Sequence, residues 1–135
     1  MLYFDSDVVF HFLVLQEDNK HKQARQLVLD AVRERKFVIS TLVIQEVGYA
    51  MARFELANEE ITNKLSYLST INTVDVQNIV VPRALELAGI VGFKHINDCV
   101  HTAISESLKV EKLCTYNKAD FKRIQKLTDL EIIIL

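Results

Sequence analysis

The chain has 135 residues, half of them apolar and a quarter charged, with three Gly and one Pro. That composition excludes disorder and collagen-like structure, and the length suits one domain that buries a core without disulfides or a structural metal. Sixteen Lys and Arg against eighteen Asp and Glu leave a formal charge of -2, which excludes a strongly basic nucleic-acid coat but not a local basic face.

Few Gly and Pro imply long regular elements joined by short connections. Leu2-Tyr3-Phe4 reads as a buried strand, and Val8 to Leu15 is apolar enough for a helix packed on most sides. His21 to Arg35 carries Ala24, Leu27, Val28, Ala31 and Val32 at helical spacing, and Lys36 to Ser40 follows as a second strand. Thr41 to Leu56 is a helix with Leu42, Val43, Val47, Ala50, Met51 and Phe54 inward. Asn58 begins another as a candidate N-cap ahead of Glu59 and Glu60, acids that the helix dipole favours there. Thr73 to Val76 is a short strand, and Ile79 to Gly92 a helix with Pro82 in its first turn. Asn97 to Lys109 is helical, Lys112 to Thr115 a strand, Lys118 to Lys126 a short helix and Glu131 to Leu135 a last strand. The apolar run from Ile132 suits a strand buried on both sides. Strands separated by helices need crossover connections, so residues 1–135 are expected to form one α/β domain. Its predicted architecture is a three-layer α/β/α sandwich with a mostly parallel central sheet.

Cys99 and Cys114 form no CxxC pair and have no His at zinc-ligand spacing, which reads as two buried thiols in a reduced compartment. Met1 to Phe4 is broken at once by Asp5, well short of a secretory-signal core, and no apolar run approaches a membrane span. A soluble, cytoplasmic protein with no membrane partner is expected.

In open α/β sheets ligands bind beyond the carboxyl ends of the strands, where strand order reverses. By that rule the candidates are Asp5 directly after the first strand, Asp7, Glu46 in the helix after the second strand, Asp98 and Asp120. Plain structural roles compete. Asp98 and Asp120 also suit first-turn acids, and Asn117 with Asp120 has the form of a cap and its reciprocal partner. Asp5 is the most suggestive, because a carboxylate hard against an apolar strand needs a partner. A doubly wound sheet gathers these acids at one edge, where carboxylates within ~5 Å repel unless a counter-ion joins them. Mg²⁺ or Mn²⁺, held by a few carboxylates together with substrate phosphate, meets that need and points to phosphate-ester hydrolysis.

Four segments carry these acids in order: Leu2-Tyr3-Phe4-Asp5-Ser6-Asp7-Val8-Val9, Ile39 to Val47 with Glu46, Asn97-Asp98-Cys99-Val100-His101-Thr102-Ala103, and Thr115-Tyr116-Asn117-Lys118-Ala119-Asp120-Phe121. Over essentially its whole length the sequence resembles the PIN-domain ribonucleases, particularly the short VapC-like toxins of type II toxin–antitoxin pairs. The resemblance implies a metal-dependent endoribonuclease in which Asp5, Glu46, Asp98 and Asp120 are catalytic and hold one or two Mg²⁺ or Mn²⁺ ions. It implies that Ser6, Thr115 and Asn117 orient those carboxylates through hydrogen bonds, with Asp7 beside them. It also implies an RNA substrate, a homodimer and a cognate antitoxin protein. One position departs from the family, since Asp7 stands where Asn is usual.

Asp5-Ser6-Asp7-Val8-Val9 also matches the opening of haloacid-dehalogenase-like phosphatases, with Asp5 as nucleophile and Asp7 as acid/base, but Asp98 lacks the neighbouring acid that family needs. A phosphoreceiver domain is weaker still, because Asp75 reads as lying inside the third strand. A catalytically inactive PIN-like module binding RNA or protein is the non-enzymatic alternative. His11, His21, His95 and His101 form no HxxxH pair, and His101, three residues past Asp98, reads as a packing residue more readily than a cleft residue. Lys118, Lys122 and Arg123, with Lys109, Lys112 and Lys126, are candidate RNA-backbone contacts around the fourth acidic segment, or simply a solvated face.

Overall fold

Leu2–Phe4 forms β1, and its neighbours explain why so short an apolar run is stable. It pairs in parallel with β2 (Phe37–Ser40) on one side and β4 (Lys112–Thr115) on the other, and Tyr3 and Phe4 are fully buried. β3 (Thr73–Val74) and β5 (Glu131–Ile134) complete a five-stranded sheet of order β3-β2-β1-β4-β5, every pair parallel. The computed structural model describes residues 1–135.

Parallel neighbours require crossovers, and seven helices supply them. These are α1 (Ser6–Leu13), α2 (Asp18–Arg33), α3 (Thr41–Arg53), α4 (Asn58–Ser69), α5 (Val81–Val91), α6 (Ile96–Ser107) and α7 (Lys118–Ile124). α1 packs on α2 and α3, whereas α6 packs on α5 and α7, so the sheet is the middle layer of an α/β/α sandwich. The chain winds from β1 outward to β3, then returns to lay β4 and β5 on the far side of β1. Strand order therefore reverses between β1 and β4.

Several local expectations shift. The first helix begins at Ser6 rather than Val8, because Asp5 caps it: the carboxylate accepts the Ser6 N–H at 2.7 Å. Asn58 is not the cap of α4; Ala57 occupies that position without a side-chain bond, and Asn58 is already helical. The helix expected from Ile79 divides into a 3₁₀ turn, Asn78–Val80, and α5 proper, with Pro82 in its first turn as expected. β5 is a half-buried edge strand and not one covered on both sides, since nothing pairs beyond it. β3 ends at Val74, so Asp75 lies past the strand and not inside it, exposed at the sheet edge with β2 between it and β1. Gly92 ends α5 with φ +106°, a conformation costly to any other residue, and turns the chain into the 3₁₀ segment Phe93–His95.

Candidate active site

Asp5 sits at the carboxyl end of β1 and is 3% exposed. Its two oxygens are held separately: Oδ1 accepts the Ser6 N–H, and Oδ2 accepts the Thr115 hydroxyl at 2.8 Å from the last residue of β4. The two central strands thus clamp one carboxylate at the reversal point.

From α6, Asp98 and His101 reach the same side, three residues apart. The His101 ring is fully buried, with Nε2 2.5 Å from Glu46 Oε1 and 3.5 Å from Asp5 Oδ1. Its Nδ1 lies 2.8 Å from the Tyr3 hydroxyl, itself 2.7 Å from Ser40 Oγ. Burial disfavours a charged ring, but the Glu46 bond and the charges of Asp5, Glu46 and Asp98 outweigh it and raise the imidazole's pKa. Assigned from this network, a protonated ring donates to Glu46 and to Tyr3, and Tyr3 donates onward to Ser40. For Glu46, burial works upward, yet His101 and the Asn97 amide, 3.2 Å from Oε2, hold its carboxyl below the usual range.

Asp98 and Asp120 form the other half of the pocket. Asn117 Nδ2 donates to Asp120 Oδ2 at 2.9 Å and to Asp98 Oδ2 at 3.3 Å, while Asn117 Oδ1 accepts the Asp120 N–H at 3.3 Å. Asn117 is therefore the N-cap of α7 as expected, but Asp120 is not its reciprocal partner in the capping-box sense. The Asn117 N–H donates to Thr115 Oγ1 at 2.9 Å, and Asp120 takes the Asn117 side-chain amide, which also links the two acids. Gly92 delivers His95, whose Nδ1 is 3.0 Å from Asp120 Oδ1. Burial would raise the Asp120 carboxyl, but Asn117 and His95 hold it low. Asp98 has only the longer Asn117 bond, at 3.3 Å, and no histidine hydrogen bond. Burial and the charge of Asp5 push its carboxyl up to about 8, and His101 offsets them only in part.

Asp7 faces elsewhere. Its oxygens accept the Tyr116 N–H at 3.1 and 3.2 Å, and Oδ2 lies 3.3 Å from Thr115 Oγ1. Burial and the neighbouring Asp5 push the Asp7 carboxyl up to about 7. Thr115 has one proton, which goes to Asp5 at the shorter distance, so a protonated Asp7 donates to Thr115 in turn. This orientation leaves Asp7 unsuited to the acid/base role of the phosphatase alternative.

Asp5, Glu46 and His101 bring ligating atoms within 4.8 Å of one another, and so do His95, Asp98 and Asp120. Two carboxylates beside one histidine in each group offer hard oxygen donors, and these residues fit a divalent cation. Soft ligation is not on offer: the Cys99 and Cys114 thiols are buried and pushed up to about 11 by that burial.

The two pocket histidines were not among the expected site residues: His101, expected to pack, had only its spacing from Asp98 to mark it, and His95 had no such signal. Of the basic residues, Lys118 and Lys122 share an exposed face of α7 near Asp120. Arg123 is partly committed, with Nη1 donating to Val91 O at 3.1 Å and Nη2 3.5 Å from Asp120. Lys112 starts β4, at the opposite end of the sheet from the pocket, paired with Glu131 at 3.0 Å. Lys109 and Lys126 line a separate hollow beside Arg83 and Glu106, and they do not surround the acids as expected.

The profile of the PIN domain matches residues 2–127. The chain belongs to the PIN domain family. No curated protein sequence matches it. Among solved structures, the Mycobacterium tuberculosis toxin VapC20, described as cleaving the sarcin–ricin loop, is similar with TM-score 0.71 and 13% identity, over 91% of this chain and 95% of that one. VapBC2 from Rickettsia felis, bound to a promoter DNA fragment, gives TM-score 0.69 and 19% identity, over 100% and 99%. A toxin–antitoxin complex from Klebsiella pneumoniae gives 0.67 and 19%, over 90% of each chain. At such identities the likeness is one of fold.

Proposed function

We propose that the protein is a divalent-metal-dependent endoribonuclease and the toxin of a toxin–antitoxin pair. One observation supports the reading: in a PIN-domain chain, two adjoining acidic groups, Asp5 with Glu46 and Asp98 with Asp120, lie where strand order reverses, and burial and the charge of Asp5 push Asp98 up to about 8. Mg²⁺ or Mn²⁺ bound by these four acids would stabilise the charge developing on a phosphodiester and make water nucleophilic. The chain's own part is to keep the carboxylates in place. Thr115 and the Ser6 N–H fix Asp5, Asn117 spaces Asp98 from Asp120, and His101 restrains Glu46. Lys118 and Lys122 supply positive charge for RNA phosphates beside Asp120.

An RNA target and an antitoxin partner are supported by the toxins and toxin–antitoxin complexes of similar fold. A homodimer would cover exposed apolar surface at Val81 and Leu85, one turn apart on α5, with Ile90 near the helix end and Phe93 in the 3₁₀ segment beyond it. Two free thiols suit a reducing cytoplasm, and no helix is long and apolar enough to cross a membrane.

Incubating the purified protein with mixed RNA, with Mg²⁺ or Mn²⁺ and then with EDTA, tests the reading. Metal-dependent cleavage is expected. Cleavage persisting in EDTA would refute the metal mechanism, and no cleavage with either metal would favour the inactive binding module.

A further inference from the structure

Beside the acidic pocket lies a hollow of about 520 Å³ lined by Ser6, Leu42, Gln45, Glu46, Tyr49 and Asn97. Glu46 and Ser6 belong to both spaces, so whatever occupies the hollow adjoins the carboxylates. Tyr49 is 68% exposed, although the core side of α3 is carried by Val43, Val47 and Met51. It stands one helical turn from Gln45 on the same face, and the Arg53 guanidinium lies 6.0 Å from its ring centroid.

A flat exposed ring, a primary amide one turn away and a second amide at Asn97 suit a planar heterocycle with donors and acceptors on its edge. Unpaired bases are held in that manner, by stacking on an aromatic face and hydrogen bonds to the edge. The Arg53 guanidinium beside the ring adds a positive charge at the hollow's edge that suits a neighbouring phosphate. We infer that this hollow is a nucleobase subsite, in which Tyr49 stacks an unpaired base next to the scissile phosphate and Gln45 reads its edge. The inference rests on the nuclease reading and narrows its substrate to RNA that is single-stranded or looped at that nucleotide, since a base inside a duplex offers no free face.

The test measures fluorescence anisotropy of labelled single-stranded RNA that the wild-type protein cleaves, in an Asp98→Asn background so that it stays intact. Tyr49→Ala is expected to weaken binding about tenfold and Tyr49→Phe to keep it within about twofold, because stacking needs only the ring. RNA with an abasic nucleotide at one position next to the cleavage site should lose about the same factor, and lose nothing more on Tyr49→Ala. Cleavage by the wild type together with unchanged binding by Tyr49→Ala would overturn the subsite alone. Unchanged RNA binding with an altered molecular mass in light scattering would assign the face to protein contact and overturn it too. Failure of the wild type to bind or cut any RNA would overturn the nuclease reading and the subsite with it.

Discussion

His101 Nε2 lies 2.5 Å from Glu46 Oε1, so a buried cation on α6 holds an acid that α3 would otherwise leave to solvent. Substituting His101 removes the one cationic partner that lies against both Glu46 and Asp5. His101→Leu should cost about 3 kcal/mol in the metal-free protein, somewhat less than for a wholly enclosed pair because Glu46 keeps 25% side-chain exposure. Urea denaturation in EDTA measures it; a loss below about 1 kcal/mol would mean that the ring only packs.

Asp98→Asn is expected to cut metal-dependent cleavage by more than about 100-fold, exceeding what removal of an orienting partner costs. The same change should preserve or raise the metal-free melting temperature, since Asn keeps a neutral side chain where the acid is held up to about 8. A sizeable drop in melting temperature would instead make Asp98 a structural first-turn acid.

Stability of the metal-free protein should fall as pH rises. Asp98 and Asp7 titrate at about 8 and about 7 in the fold, well above the ordinary carboxyl range near ~4. Between those limits the folded state holds more protons than the unfolded chain, so raising the pH favours unfolding. His101 has the same sign: its contribution is complete below ~6.5 and is lost as pH climbs through its raised folded value. Urea midpoints in EDTA should therefore drop from pH 5.5 to 8.5, and Mg²⁺ or Mn²⁺ should flatten the profile by taking the protons' place. A midpoint that rises with pH in EDTA would contradict this account.

Asp7→Asn should stabilise the protein at pH 8 by about 1 kcal/mol while leaving cleavage within a few-fold. The Asn oxygen can still accept the Tyr116 N–H, and its amide can donate to Thr115 without a buried charge near Asp5. Thermal melts and single-turnover cleavage of one RNA check the two halves. Loss of cleavage would show that the extra acid serves the pocket directly.

The strands flanking the pocket were legible because each is a short apolar run bounded by polar residues, as at Lys112 to Thr115, and four of the acids stand out by following them. What stayed hidden depends on tertiary partners. Asp5 follows a strand and also caps a helix, so α1 begins at Ser6, two residues before the apolar run that starts at Val8. The Ile run of β5 has the same apolar pattern in a central or an edge position, and only strand order distinguishes them. His101 is one of several polar residues in α6, and its partners Tyr3 and Glu46 are 98 and 55 residues away. The rotation of Asp7 toward Tyr116 likewise depends on β4 lying beside β1.

That adjacency has a consequence for biosynthesis. The hydroxyl that fixes Asp5 comes from a residue 110 positions later, and β1 has no second neighbour until that late strand arrives. A nascent chain emerging from its amino end can build α1 to α4 around β1 and β2 early, but the nuclease pocket is left open until translation is nearly done. Chains abandoned partway by the ribosome would lack the Thr115 hydroxyl that holds Asp5, and with it a finished pocket.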